Sequence, residues 1–155
     1  MRDAHLEDIV VGQRFGSGTV EVTAEEIVRF AQAYDPQPFH LDDNAAKGTL
    51  FGGLAASGWM TAALTMRLLV EGDLVPAGGI IGAGFDELAW PLPVRPGDVL
   101  TVKTEVLAVR RSASRPMQGI VNLRHLTLNQ NGETVQRAIG NLIVRARAAP
   151  DRTGS

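Results

Sequence analysis

The chain has 155 residues, 45% hydrophobic and 21% charged, with a formal net charge of −2 and no cysteine. Such a chain suits one globular domain with its own core, lacks the basic excess of a general nucleic-acid binder, and excludes disulfides, thiolate nucleophiles and cysteine-ligated metals. Its acidic opening, MRDAHLEDIVVGQRF, has no long apolar core of a secretory signal, so a cytoplasmic protein is expected.

RFGSGTVEV, residues 14–22, reads as an opening strand. Thr23 and Glu26 have the spacing of a capping box, and Ile27, Phe30, Ala31 and Tyr34 repeat as one buried helical stripe. The spacing therefore predicts a helix over 23–34. Asp35-Pro36 ends it, because a residue before proline is pushed out of the helical region. YDPQPFHLDD, 34–43, is then a rigid loop, followed by a short acidic turn over 41–48 and the glycine-rich FGGLAASG at 51–58. The run from Leu54 to Val70 is apolar almost all round, with Arg67 its only charge. It is shorter than the roughly 20 apolar residues of a membrane span, stands alone, and is rich in small residues. A helix wrapped by protein is expected instead.

From Gly79 the period falls to two. GIIGAGFDELAW, VLTVKTEVLAVRR, GIVNLRHLTLNQ and ETVQRAIGNLIVRAR read as strands, with turn signals at RPGD and NQNGE. The expected architecture is α+β: about five predominantly antiparallel strands curled around one long apolar helix. A single domain spans 1–148, and the polar tail 149–155 is expected to fray.

Asp35 and His40 carry the chemistry. They sit five residues apart with Pro36 and Pro38 between them. A carboxylate and an imidazole held at fixed separation suit moving one proton on and another off, and the prolines lower the entropic cost of holding them. The same pair also reads as a cap and a packed imidazole. Asp42 and Asp43 add carboxylates, but without a second nearby histidine no metal site is expected. In FGGLAASG, glycines let a ligand approach the first, unpaired N–H groups of a helix, which are natural oxyanion donors; Phe51, Gly53, Ser57 and Gly58 are the candidates. Ser57, Thr61 and Thr65 form a hydroxyl stripe, and such hydroxyls ordinarily bond back to the carbonyl four residues earlier. His5 and His125 have no supporting context and are given no role.

Together these residues resemble the MaoC-like branch of the hot-dog superfamily, the (R)-specific enoyl-CoA hydratases and acyl dehydratases. The resemblance runs through Asp35, Gln37-Pro38, His40, Asp42, Ala45-Ala46, Phe51-Gly52 and Ser57-Gly58, then WPLPVRPGDVL downstream and LEDIVVGQRF at the start. It implies a hot-dog fold, Asp35 and His40 as the catalytic pair, and the Gly58 N–H as oxyanion donor. It also implies reversible hydration of a trans-2-enoyl thioester of coenzyme A or acyl carrier protein, no cofactor, and a homodimer paired through its sheets. Ser57 departs from the pattern, since many relatives have histidine there. Trp59 and Met60 would narrow an acyl channel if they line it, and Arg110, Arg111 and Arg115 would suit coenzyme A phosphates. Two other readings remain. A hot-dog thioesterase commonly carries an acid on or near its central helix, and 54–70 has none. The other is a non-catalytic acyl-CoA-binding module or partner subunit.

Overall fold

Three consecutive runs of alternating apolar and polar residues between 99 and 145 build the body of the molecule. The computed structural model describes residues 1–149. It opens with β1 (Arg2–Ala4), a single 3-10 turn, β2 (Arg14–Phe15) and β3 (Thr19–Glu21). Helices α1 (Ala24–Tyr34), α2 (Pro38–Leu41), α3 (Asp43–Lys47) and α4 (Gly58–Val70) follow. Strands β4 (Val75–Pro76), β5 (Ile81–Ala89), β6 (Val99–Arg111), β7 (Gln118–Leu128) and β8 (Thr134–Arg145) complete the described chain. Apart from Ala149, the tail expected to fray lies outside the described residues.

The main sheet has six strands, ordered β2–β6–β7–β8–β5, with β3 also paired to β6. Every pairing in it is antiparallel. β1 and β4 form a separate parallel pair. The α+β, hot-dog arrangement stands, with more strands than expected. The opening strand divides because the backbone leaves the ladder between Phe15 and Thr19, where the Ser17 hydroxyl accepts the Val102 N–H at 2.8 Å. In β7, Gly119, Val121, Leu123, His125 and Thr127 are buried and their alternates are not. The β7–β8 turn closes at Gly132, whose φ of +74° suits a residue without a Cβ.

α1 begins where expected: the Thr23 hydroxyl accepts the Glu26 N–H at 3.2 Å. Ile27 and Ala31 are fully buried, whereas Tyr34, expected on the same stripe, is exposed. Full burial of a side chain such as Ile27 or Leu100 contributes about 1.5–3 kcal/mol. The apolar helix is 13 residues long, shorter than the apolar run. Ala55 and Ala56 instead give their N–H groups to Phe39 and Val94 carbonyls, and Ser57 caps the helix. Nor is α4 wrapped on all sides: the sheet covers one flank, and Trp59, Met66 and Val70 are exposed. No described helix is long and apolar enough to cross a membrane.

Two apolar clusters cover the inner face of the sheet. One gathers Val22, Ile27, Met60 and Leu100, and the other Leu6, Val106, Leu123 and Val144. Between them runs a belt of buried polar residues, Thr104, His125, Thr127 and Gln136, close to α4. Thr65 on α4 meets Thr127 hydroxyl to hydroxyl at 2.6 Å.

Candidate active site

The stretch expected as loop is partly helical. α2 starts at Pro38, where a missing N–H costs nothing, and makes one turn that turns His40 inward. α3 follows where a turn was expected, because the Asp42 carboxylate accepts the Ala45 N–H at 3.0 Å. Asp43 accepts the Leu54 N–H at 2.9 Å. Both carboxylates thus serve the backbone.

Asp35 stands at the C-terminal end of α1 and His40 on α2. Their side chains converge, with His40 Nε2 3.3 Å from Asp35 Oδ2 and side-chain exposures of 5% and 18%. The other ring nitrogen, Nδ1, lies 2.6 Å from the Ala55 carbonyl oxygen. A carbonyl only accepts, so Nδ1 carries the hydrogen. Nε2 is left as the atom that gains or releases a proton, and it faces the carboxylate. Phe39 and Phe51 flank the imidazole, their ring centroids 4.6 and 5.7 Å from its own.

Burial alone pushes the Asp35 carboxyl up. Hydrogen bonds from Gln37 and Ser57 and the adjacent His40 outweigh it, holding the group below the usual carboxylate range. The Ser57 hydroxyl donates to Asp35 Oδ2 at 2.7 Å, and Gln37 Nε2 donates to Oδ1 at 2.5 Å. Ser57 therefore does not bond back along the chain, whereas Thr65 does, to the Thr61 carbonyl at 2.8 Å.

Ser57 also accepts the Trp59 N–H at 3.3 Å, tying the acid to the start of α4. Gly58 is the first residue of that helix, and its N–H has no acceptor among the described residues. A Cβ on Gly58 would lie 2.7 Å from the Trp90 ring. The glycine is thus required by the indole packed on it. Gly53 and Phe51 lie on the approach to α4. Their carbonyls, with that of Leu54, accept hydrogen bonds from the Arg95 guanidinium, at 2.9 Å for Gly53. Arg95 and Trp90 escaped sequence reasoning. Their partners are over 30 positions away, and each looked like part of a turn segment.

Residues 9–128 match the family model described as MaoC like domain. The chain belongs to this family. A MaoC-like dehydratase of known structure from Rhodospirillum rubrum is 56% identical, with a TM-score of 0.90 over 94% of this chain and 99% of that one. The (R)-hydratase from A. caviae involved in PHA biosynthesis is 30% identical, with a TM-score of 0.69 over 90% of this chain and 98% of that one. The uncharacterized Bacillus subtilis protein YdeM is 32% identical over 125 residues, 81% of this chain and 87% of its own.

The positions of Trp59, Met60, Arg110 and Arg111 bear on the conditional roles given to them in this MaoC-like domain. Met60 is buried in the apolar cluster with Val22 and Ile27, and Trp59 is exposed, so neither lines the cavity beneath α4; Ala62, Thr65, Met66 and Leu69 do. Arg111 is engaged by Glu7 at 2.9 Å and by two carbonyls. Arg110 and Arg111 lie at the far end of the 13-residue β6, about 40 Å from its start at ~3.3 Å per residue. They border a groove of their own with Ser112 and Gly119.

Proposed function

We propose that this MaoC-like domain is a hydro-lyase that reversibly adds water to a trans-2-enoyl thioester, giving the (R)-3-hydroxyacyl thioester. One observation carries the reading: His40 Nε2 and Asp35 Oδ2 converge at 3.3 Å, on an acid that Ser57 links to the start of α4. In the hydration direction, water lies between the two side chains. Its proton passes to Nε2 while its oxygen bonds to the β-carbon. The displaced π electrons move toward the thioester oxygen, where the Gly58 N–H stabilises the developing charge. Nε2–H then returns a proton to the α-carbon, so H and OH have added across the double bond. Dehydration runs the same steps backward. Asp35 stays ionised throughout and stabilises the transient imidazolium.

General acid–base help of this kind is worth about 10²–10⁴-fold, and one oxyanion donor about 3–4 kcal/mol. The acyl group is carried by coenzyme A or acyl carrier protein. A cytoplasmic location, suggested by the cysteine-free sequence, belongs to the same proposal. So does a homodimer: β5 is an edge strand whose residues 81–86 are all exposed, Ile81 and Phe85 among them, and such edges call for cover.

The test is to mix the protein with trans-2-enoyl-CoAs of graded chain length. One follows loss of the conjugated thioester absorbance and determines the configuration of the product. The (R)-alcohol is expected, with loss of about 10²-fold or more in D35N and H40A while both remain folded. Release of free thiol would mark a thioesterase instead, and binding without turnover a carrier module. Sedimentation at micromolar concentration tests the dimer.

A further inference from the structure

The polar belt on the inner face of the sheet is left over by the chemistry above. It borders a cavity of about 90 Å³ between α4 and strands β5, β7 and β8. Ala62, Met66, Leu69, Phe85 and Leu142 make its walls apolar, yet His125, Thr104 and Gln136 also line it. His125 is 95% buried, by its relative exposure of 5%. Its Nδ1 meets the Thr104 hydroxyl at 3.0 Å, while Nε2 has no partner among the described residues. The Gln136 side-chain oxygen accepts the Trp90 indole N–H at 2.8 Å, leaving its NH₂ without a partner among the described residues. Both unpaired atoms keep accessible surface, since no buried side-chain nitrogen or oxygen among the described residues lacks a partner, so a group bound in the cavity can reach them.

The two groups act at one place. His125 lies opposite Ala138 on the neighbouring strand, and Gln136 is two residues farther along the same face, a diagonal of about 7–8 Å that long side chains span. The Gln136 NH₂ presents a donor, and the His125 Nε2 presents a donor or an acceptor according to which ring nitrogen the Thr104 hydroxyl leaves protonated. Burial holds the imidazole neutral, its pKa down at about 4. Among the described residues no Lys or Arg lines the cavity, and Asp73, the one carboxylate among them that does, already accepts the Gly16 N–H at 3.1 Å. A neutral acceptor oxygen therefore matches the lining; an anion does not. The cavity begins about one helical turn of α4 beyond the proposed reaction centre, none of whose residues lines it. Trp90 packs against Gly58 on one side and bonds Gln136 on the other. Ala62, one helical turn from Gly58, marks the near end, about 6 Å along the axis at ~1.5 Å per residue.

We propose that this cavity receives the acyl portion of the thioester and selects acyl groups bearing a neutral acceptor oxygen, a ketone or hydroxyl, over plain alkyl and over anionic groups. The inference rests on the hydro-lyase reading for the identity of the thioester but not for its test. Calorimetry on the wild-type protein compares saturated thioesters, which cannot be hydrated: 4-oxopentanoyl-, 5-oxohexanoyl- and 6-oxoheptanoyl-CoA, each against its plain-alkyl counterpart, with adipoyl-CoA as the anionic probe. At least one oxo compound is expected to bind roughly five- to tenfold tighter than its alkyl partner, the ratio that one net hydrogen bond supplies. H125F and, independently, Q136L are expected to shrink that ratio toward one. Oxo compounds that bind no tighter than alkyl ones, or adipoyl-CoA binding tightest, would overturn the proposal. Hydration of trans-2-enoyl-CoA is measured separately. Turnover with an oxo-to-alkyl ratio of one refutes the cavity alone, whereas a high ratio without turnover of any enoyl-CoA refutes the hydro-lyase reading alone.

Discussion

Removing the Ser57 hydroxyl is the sharpest single perturbation of the site. Its Oγ donates to Asp35 Oδ2 at 2.7 Å and accepts the Trp59 N–H at 3.3 Å. A hydrogen bond to a charged group contributes about 1.5–3 kcal/mol, and loss of a serine N-cap costs about 1 kcal/mol. S57A is therefore expected to lose about 2–4 kcal/mol in urea denaturation at pH 7. Asp35 has its folded-state pKa depressed, so its stabilising contribution is present above the unfolded carboxylate pKa and fades as pH falls through the folded one. Deleting a group that lowers that pKa moves it up. The carboxylate part of the penalty should thus shrink in acid, while the capping part persists. Carbon-detected NMR of the Asp35 carboxyl reads this directly: its titration midpoint should be higher in S57A than in wild type. An unchanged midpoint would mean that Ser57 does not set the state of the acid, and the proposed geometry of the dyad would be wrong.

Gly58→Ala places a methyl 2.7 Å from the Trp90 ring; overpacking of this kind costs about 1–3 kcal/mol, and a thermal melt beside that of G58A/W90L should show the double variant recovering part of the loss. Arg95→Met releases the carbonyls of Phe51, Gly53 and Leu54. Hydration kinetics should then show a fall in kcat larger than any change in KM, because the dyad's surroundings loosen while the acyl cavity is untouched. Burial depresses the folded pKa of His125 to about 4 from its ordinary 6.5, so the unfolded chain binds the proton first. Its contribution is complete above pH 6.5 and is lost as pH falls toward about 4, to the order of 3 kcal/mol at ~1.4 kcal/mol per unit; the slope of stability against pH in that window should be shallower in H125F.

The long-period features were legible in the residues. α1 announced itself through Thr23 and the Ile27–Ala31 spacing, and β6, β7 and β8 through alternation, because a regular element repeats its burial over several cycles. α2 and α3 were not, since helices of four and five residues are too short to show a period and are held by Pro38, Asp42 and Asp43 one contact at a time. The apolar run at 54–70 looks like one helix in the sequence because hydropathy cannot distinguish buried extended backbone from buried helix. Asp35, His40 and Gly58 stood out by chemistry and resemblance. Trp90, Arg95 and Gln136 were invisible for a different reason: each acts through a partner distant in sequence, and nothing near it in the chain hints at that partner. His125 was passed over because a lone histidine on a strand says nothing until its neighbours on adjacent strands are known.

Ala55 receives the His40 ring hydrogen on its carbonyl and sends its own N–H to Phe39. The tautomer of the imidazole is thus dictated by main-chain atoms, and replacing the methyl at 55 would leave that instruction in place. Alanine scanning is blind here by construction. Only an edit of the peptide link itself, such as an ester that weakens the acceptor, would reveal how much of the proton chemistry is written into the chain rather than into its side groups.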